Sequence, residues 1–161
     1  MNATTRPIVI AHRGASGYLP EHTLAAKALA HAMGANFLEQ DVVLSRDGTP
    51  IVLHDIHLDS TTDVAQRFAG RARDDGRFYA IDFDLAEIRQ LRVHERTHLD
   101  AARGGHAVYP QRFPAQHALF QVPTLEEEIN MLAGLDHSRG CRTGLYIELK
   151  SPNWHRSLGL D

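Results

Sequence analysis

The sequence predicts an α/β fold built on a few parallel strands. Short β-branched apolar runs alternate with amphipathic stretches, the pattern of strand–helix repeats. Asp47-Gly48 sits between two such runs and signals a hairpin. Chemically potent residues close or interrupt the runs: His12-Arg13-Gly14, Glu39-Gln40-Asp41, His54-Asp55 and Glu148-Leu149-Lys150. Only about four strands are legible, whereas a closed (β/α)₈ barrel needs ~250 residues.

Taken in order, Pro7 to Ala11 (PIVIA) reads as a buried strand and Gly14 to Pro20 as a loop. Thr23 opens a helix to about Met33, with Leu24, Ala28, Leu29 and Ala32 at helical spacing and Gly34 placed to end it. Asn36 to Leu44 and Pro50 to Leu53 read as strands. A two-residue Asp47-Gly48 turn pairs Arg46 with Thr49 and sets Asp41 opposite His54, with Cβ atoms ~5 Å apart. Residues 56–122 have weak periodicity and are too long for a plain loop, so they read as an insertion packed over one end of the domain. Within it, Asp84 and Glu87 form a capping box for a helix over 85–91. Thr124 and Glu127 open a second helix to about Leu135, with Leu125, Ile129 and Leu132 as its apolar stripe. Gly144 to Leu149 is the last strand.

Composition excludes several classes. With 161 residues and 43% hydrophobic content, the chain can bury a core. Its net charge of -3 gives no basic surface for nucleic acid. No apolar run approaches the roughly 18 residues of a membrane span. The single Cys141 excludes an intramolecular disulfide and is read as a small buried hydrophobe. Oligomeric state is not assigned by the sequence.

Glu39 and Asp41, two apart on a strand, share one face. Their apolar neighbours Phe37, Leu38, Val42, Val43 and Leu44 make that strand look buried on both faces. Paired carboxylates there repel unless a cation lies between them. Glu148, alone in LYIEL, either joins that cation or pairs with Lys150. An all-oxygen set selects one hard divalent ion, Ca²⁺ favoured and Mg²⁺ the alternative, over zinc. His12 and His54 each follow a strand, and an unperturbed imidazole pKa of about 6.5 suits acid–base work. Arg13 offers a planar fork for a phosphate oxygen. Together these residues fit metal-assisted phosphodiester hydrolysis.

The segment IAHRGASGYLPEHTLAAKALAHAMGANFLEQDVVLSRDGTPIVLHD, from Ile10 to Asp55, closely resembles the glycerophosphodiester phosphodiesterases. The later TLEEEI and YIELKSP follow the same pattern, and DVAQRFAGRARDDGRFYAIDF resembles the larger bacterial periplasmic branch. The resemblance implies a TIM-type (β/α) barrel of the phospholipase C-like phosphodiesterase kind. Residues 1–161 are then about its N-terminal half, carrying the 56–122 insertion after the hairpin. It implies hydrolysis of a small-molecule glycerophosphodiester to sn-glycerol 3-phosphate and an alcohol. By motif, His12 and His54 become the acid–base pair, Glu39, Asp41 and Glu148 the metal ligands, Arg13 and Lys150 the phosphate contacts, and Glu21 a supporting acid.

The chain departs from the family pattern in ending about halfway along the barrel and in having His22 where Asn is common. It also departs in location: the resemblance implies the periplasm, whereas Met1 to Pro7 reads as no secretory leader and, taken literally, implies the cytoplasm. Two further readings stand beside the main one: an inactive metal- or phosphate-binding fragment, and a lipid-cleaving phosphodiesterase of the same superfamily.

Overall fold

The computed structural model describes residues 7–100, 102 and 104–160. Most of the N-terminal segment read as lacking a leader, residues 1–6, lies outside them. The elements run β1 (Ile10–Ala11), α1 (Leu24–Ala32), β2 (Phe37–Leu44), β3 (Pro50–Val52), α2 (Val64–Arg67), α3 (Leu85–Ile88), α4 (Leu125–Arg139), β4 (Gly144–Leu149) and α5 (Pro152–Ser157). Strand–helix–strand order gives a mainly parallel, partial α/β sheet rather than a closed barrel. Among the described residues, no helix is long and apolar enough to cross a membrane.

β2 is the central strand. β4 runs parallel along one edge, pairing Phe37↔Gly144 through Val42↔Leu149. The other edge is shared by β1, parallel at Ile10↔Phe37, and β3, antiparallel at Val42↔Val52. β1 and β4 therefore lie at the sheet edges. Ile8, Val9, Ile10, Tyr146, Ile147 and Leu149 are exposed there, so the expected burial of the PIVIA run is corrected.

The hairpin register also differs from expectation by one residue. Ser45 N–H donates to Thr49 O, Gly48 N–H donates to Ser45 O, and Gly48 adopts φ 75°. That is a three-residue loop, a type I turn followed by a left-handed glycine. Asp41 consequently bonds Leu53, whose N–H donates to Asp41 O at 3.0 Å, and not His54. His54 lies beyond the end of β3.

The helix faces correct the sequence reading as well. α1 turns Ala26, Lys27, Ala30 and His31 inward, while Ala32 is exposed. α4 buries Glu128 and Leu132, and Ile129 is exposed. Two small cores result. Leu38, Ala30 and Leu132 join sheet to helices. Val43, Ile51 and Leu53 of the hairpin join Leu58, Val64, Phe78, Phe83, Ile88, Leu91 and Val93 of the 56–122 segment. α3 and α4 both begin in complete capping boxes, from Asp84/Glu87 and Thr124/Glu127. α4 extends to Arg139, past the expected Leu135. Cys141 is exposed rather than buried, because the left-handed Gly140 turns the chain outward at the end of α4.

Candidate active site

Register delivers the acidic residues. Asp41 and Glu148 are direct partners on parallel β2 and β4. Glu39 lies two residues before Asp41, on the same face. Carboxylate oxygens of all three lie within 4.8 Å of one another. Glu39 and Asp41 are buried, whereas Glu148 is exposed at the sheet edge.

Each buried carboxylate is held through one oxygen. Glu39 Oε2 accepts the Arg13 backbone N–H at 2.6 Å. Asp41 Oδ2 lies 2.9 Å from His22 Nε2, with Arg13 Nε at 3.7 Å. Burial drops the His22 pKa to about 4, so a neutral ring donates its Nε2–H. Burial works against the ionised Asp41, but the hydrogen bond from His22 and the nearby positive charge of Lys150 win, and its pKa falls to about 2. Asp41 Oδ1 is buried and makes no hydrogen bond. Lys150 Nζ stands 3.6 Å from it while donating to Glu148 Oε1 at 2.7 Å. Three converging hard oxygen donors and an orphaned carboxylate oxygen fit a divalent cation. Both sequence alternatives for Glu148 are thus present in the geometry: it pairs with Lys150 and it faces the other two acids.

Around this cluster lie the ends of β1 and β3. His12, exposed, is one step past the Ala11↔Leu38 pair and so at the level of Glu39. Arg13 (φ 61°) and Gly14 (φ 82°) turn in left-handed conformations. A Cβ on Gly14 would sit 2.9 Å from the Ala26 carbonyl carbon, so only glycine lets this loop dock on α1. Gly17 meets no such constraint, and its φ is not left-handed. Arg13 Nη1 donates to Glu21 Oε1 at 3.1 Å.

His54 Nδ1 is 2.6 Å from Asp55 Oδ1. Burial would raise the Asp55 pKa, but bonds from His54, Arg96 and Ser60 hold it well below the usual carboxylate range. An ionised Asp55 therefore accepts from Nδ1–H and leaves His54 Nε2 available. Arg96, from the long segment after the hairpin, ties the two sides together: Nη1 donates to Asp55 Oδ2 and Nη2 to Glu21 Oε1, each at 2.7 Å.

Sequence reasoning missed Arg96, His22 and the roles of Lys27 and Glu128. Arg96 has no local signal, since its partners are far away in sequence. His22 was visible as a departure from the common Asn. Lys27 Nζ and Glu128 Oε1 form a fully buried 2.9 Å ion pair behind β2. Lys27 also donates to Glu39 O. Gln40, with its amide oriented to donate, reaches Leu38 O at 2.9 Å and Glu128 Oε1 at 3.1 Å. The signal that could have found Glu128 is helical spacing, since it stands three residues after Leu125 and four before Leu132.

Glu95, next to Arg96, is buried with Oε2 unpartnered. Burial, with help from Glu21 and against Arg112, pushes its carboxyl from 4.5 up to about 7. The folded chain thus holds this proton more tightly than the unfolded chain. No cost arises below pH 4.5; it grows as pH climbs to about 7 and is then complete. Glu95→Gln is expected to leave stability nearly unchanged at pH 4 and to raise it by up to about 3 kcal/mol at pH 8. Urea denaturation at the two pH values measures the difference.

Comparison with known proteins identifies the family of the chain. The family model described as "Glycerophosphoryl diester phosphodiesterase family" matches residues 12–160. A glycerophosphodiester phosphodiesterase of Haemophilus influenzae is 49% identical over 155 residues, covering 96% of this chain and 42% of its own length. That of Treponema pallidum is 45% identical over 154 residues, covering 96% and 43%. Among solved structures, a glycerophosphoryl diester phosphodiesterase from Silicibacter pomeroyi superposes with a TM-score of 0.70 at 33% identity, over 93% of this chain and 48% of that one. An Oleispira antarctica phosphodiesterase, solved with the product sn-glycerol-3-phosphate, gives 0.62 at 32%, over 92% and 47%. The chain spans less than half the length of these relatives. On the match across residues 12–160 and the identities of 45–49%, the chain belongs to the glycerophosphoryl diester phosphodiesterase family.

Proposed function

We propose that this chain carries the metal- and phosphate-binding half of an enzyme that hydrolyses glycerophosphodiesters to sn-glycerol 3-phosphate and an alcohol. The observation that carries the reading is the meeting of Glu39, Asp41 and Glu148 beside the His54–Asp55 pair. The product found with the Oleispira antarctica relative supports the substrate class.

Glu39, Asp41 and Glu148 would hold one Ca²⁺ or Mg²⁺. Such an ion, when bound, polarises the phosphoryl group and orients the diester. Arg13 and Lys150 stabilise the negative charge that builds on the phosphoryl oxygens. His54 Nε2 takes the proton from the nucleophile, water or the neighbouring glycerol hydroxyl, because Asp55 stabilises the imidazolium that forms. The new P–O bond forms as the bond to the alcohol breaks. His12, exposed just past the end of β1, gives its proton to the departing oxygen. With the glycerol hydroxyl as nucleophile, water then opens the cyclic phosphate in a second round.

The reading is tested with glycerophosphocholine, with and without chelator. Turnover is expected to stop in chelator. His54→Ala is expected to lower kcat by about 10²–10⁴ while leaving Ca²⁺ affinity unchanged. Turnover that is indifferent to both treatments removes this mechanism. A second reading has its own support in the exposed apolar edges of β1 and β4: the chain binds cation and phosphate without turning over. Calorimetric Ca²⁺ binding in the absence of any hydrolysis would select it.

A further inference from the structure

A second group of metal-ligating side chains lies at the other end of the sheet, near the start of β4. His31 is in the last turn of α1, Asp136 in the last turn of α4, and Cys141 in the link from α4 to β4. Among the described residues, these three and the Glu39–Asp41–Glu148 set are the two groups whose ligand atoms converge. His31 Nε2 stands 2.9 Å from Asp136 Oδ1 and 3.6 Å from Cys141 Sγ, and Sγ is 3.4 Å from Oδ1.

Tetrahedral zinc, with bonds of ~2.3 Å to sulfur and ~2.0–2.1 Å to nitrogen or oxygen, needs ligand–ligand edges of ~3.5 Å to sulfur and ~3.3 Å between nitrogen and oxygen. The two sulfur edges already match. The third is shorter because histidine and carboxylate hydrogen-bond directly, and it must open by only ~0.4 Å. The donors are oriented for this. Thr143 N–H donates to Asp136 Oδ2 at 2.9 Å, leaving Oδ1 toward the cluster. Cys141 N–H donates to Asp136 O at 3.1 Å, which folds the thiol back over the helix end.

The electrostatics are also right for a cation. The C-termini of α1 and α4 meet here, and each carries the negative end of its helix dipole. Arg139 Nη1 donates to His31 O and lies 3.5 Å from His31 Nδ1; an ion on Nε2 places the ring proton on Nδ1, so Arg139 keeps only its bond to His31 O. Cys141 is exposed, so water can supply a fourth ligand. Thiolate and imidazole together favour a borderline-soft ion over Ca²⁺ or Mg²⁺.

We propose that His31, Asp136 and Cys141 form a structural Zn²⁺-class site that clamps the end of α1 to the α4–β4 link. It is independent of the carboxylate cluster and of the phosphodiesterase reading.

Co²⁺ titration of the reduced full chain tests it, because a thiolate-to-cobalt charge-transfer band in the near ultraviolet reports cysteine ligation and oxygen ligands give none. The band is expected to appear, to be displaced by Zn²⁺, and to persist in the Glu39→Gln/Asp41→Asn double variant. Cys141→Ser, at an exposed position, is expected to abolish the band while a thermal melt shows the fold intact. Zn²⁺ affinity at this site should fall at least about tenfold, since even outer-sphere losses cost ~10–100-fold. His31→Gln should act likewise. No band in the parent chain, or a band unchanged by Cys141→Ser, overturns the proposal.

Discussion

Asp41→Asn is expected to abolish tight divalent-cation binding and to lower any phosphodiester turnover by at least about 10²–10³, the scale of losing one preorganised electrostatic stabiliser. Asp41 is the pivot of the cluster. It is the direct strand partner of Glu148 and shares a face with Glu39. Its Oδ2 is fixed by His22 and its buried Oδ1 has no hydrogen bond. The amide side chain keeps the shape and the His22 contact but removes the charge. It also leaves Lys150 facing one anion fewer. Isothermal titration with Ca²⁺ and hydrolysis of glycerophosphocholine measure the two effects. Asn at this position with unchanged Ca²⁺ affinity would mean that the cluster does not hold the ion.

The largest stability effect is expected at Lys27. Lys27→Met leaves Glu128 buried without its counter-ion and removes the donor to Glu39 O. Removing one partner of a buried pair costs about 3–5 kcal/mol. The double variant Lys27→Met/Glu128→Leu fills the same space with apolar atoms and is expected to recover most of that loss, because two charges no longer need desolvating. Urea midpoints of the single and double variants form a mutant cycle. A Lys27→Met variant as stable as the parent would show that the pair does not stabilise the packing of α1 and α4 behind β2. Because Lys27 holds the backbone at Glu39, the single variant is also expected to weaken cation binding.

Local chemistry made much of this legible. Thr124 with Glu127, and Asp84 with Glu87, read as helix starts because a capping box is complete within four residues. Glu39 and Asp41 read as one face because strand alternation is local. Their meeting with Glu148 needed the two strands to be neighbours in the register that pairs Asp41 with Glu148. What failed was set by longer-range or finer geometry. The Ser45–Thr49 closure adds one residue to the expected turn, and a one-residue slip reassigns every cross-strand partner. The inward face of α1 was misread because hydrophobicity pointed to Leu24 and Leu29, whereas the buried positions hold Lys27 and His31, each with a partner on α4. Arg96 was invisible because Glu21 and Asp55 reach it only after the segment following the hairpin folds back.

The central claim is that three carboxylates from two adjacent strands hold one hard cation. Crystals of this chain grown with Mn²⁺ and measured for anomalous scattering test it most directly. The account predicts an anomalous peak within coordination distance of Glu39, Asp41 and Glu148, with Lys150 Nζ displaced from Glu148. A map with no such peak, with the Lys150–Glu148 pair intact, would contradict it.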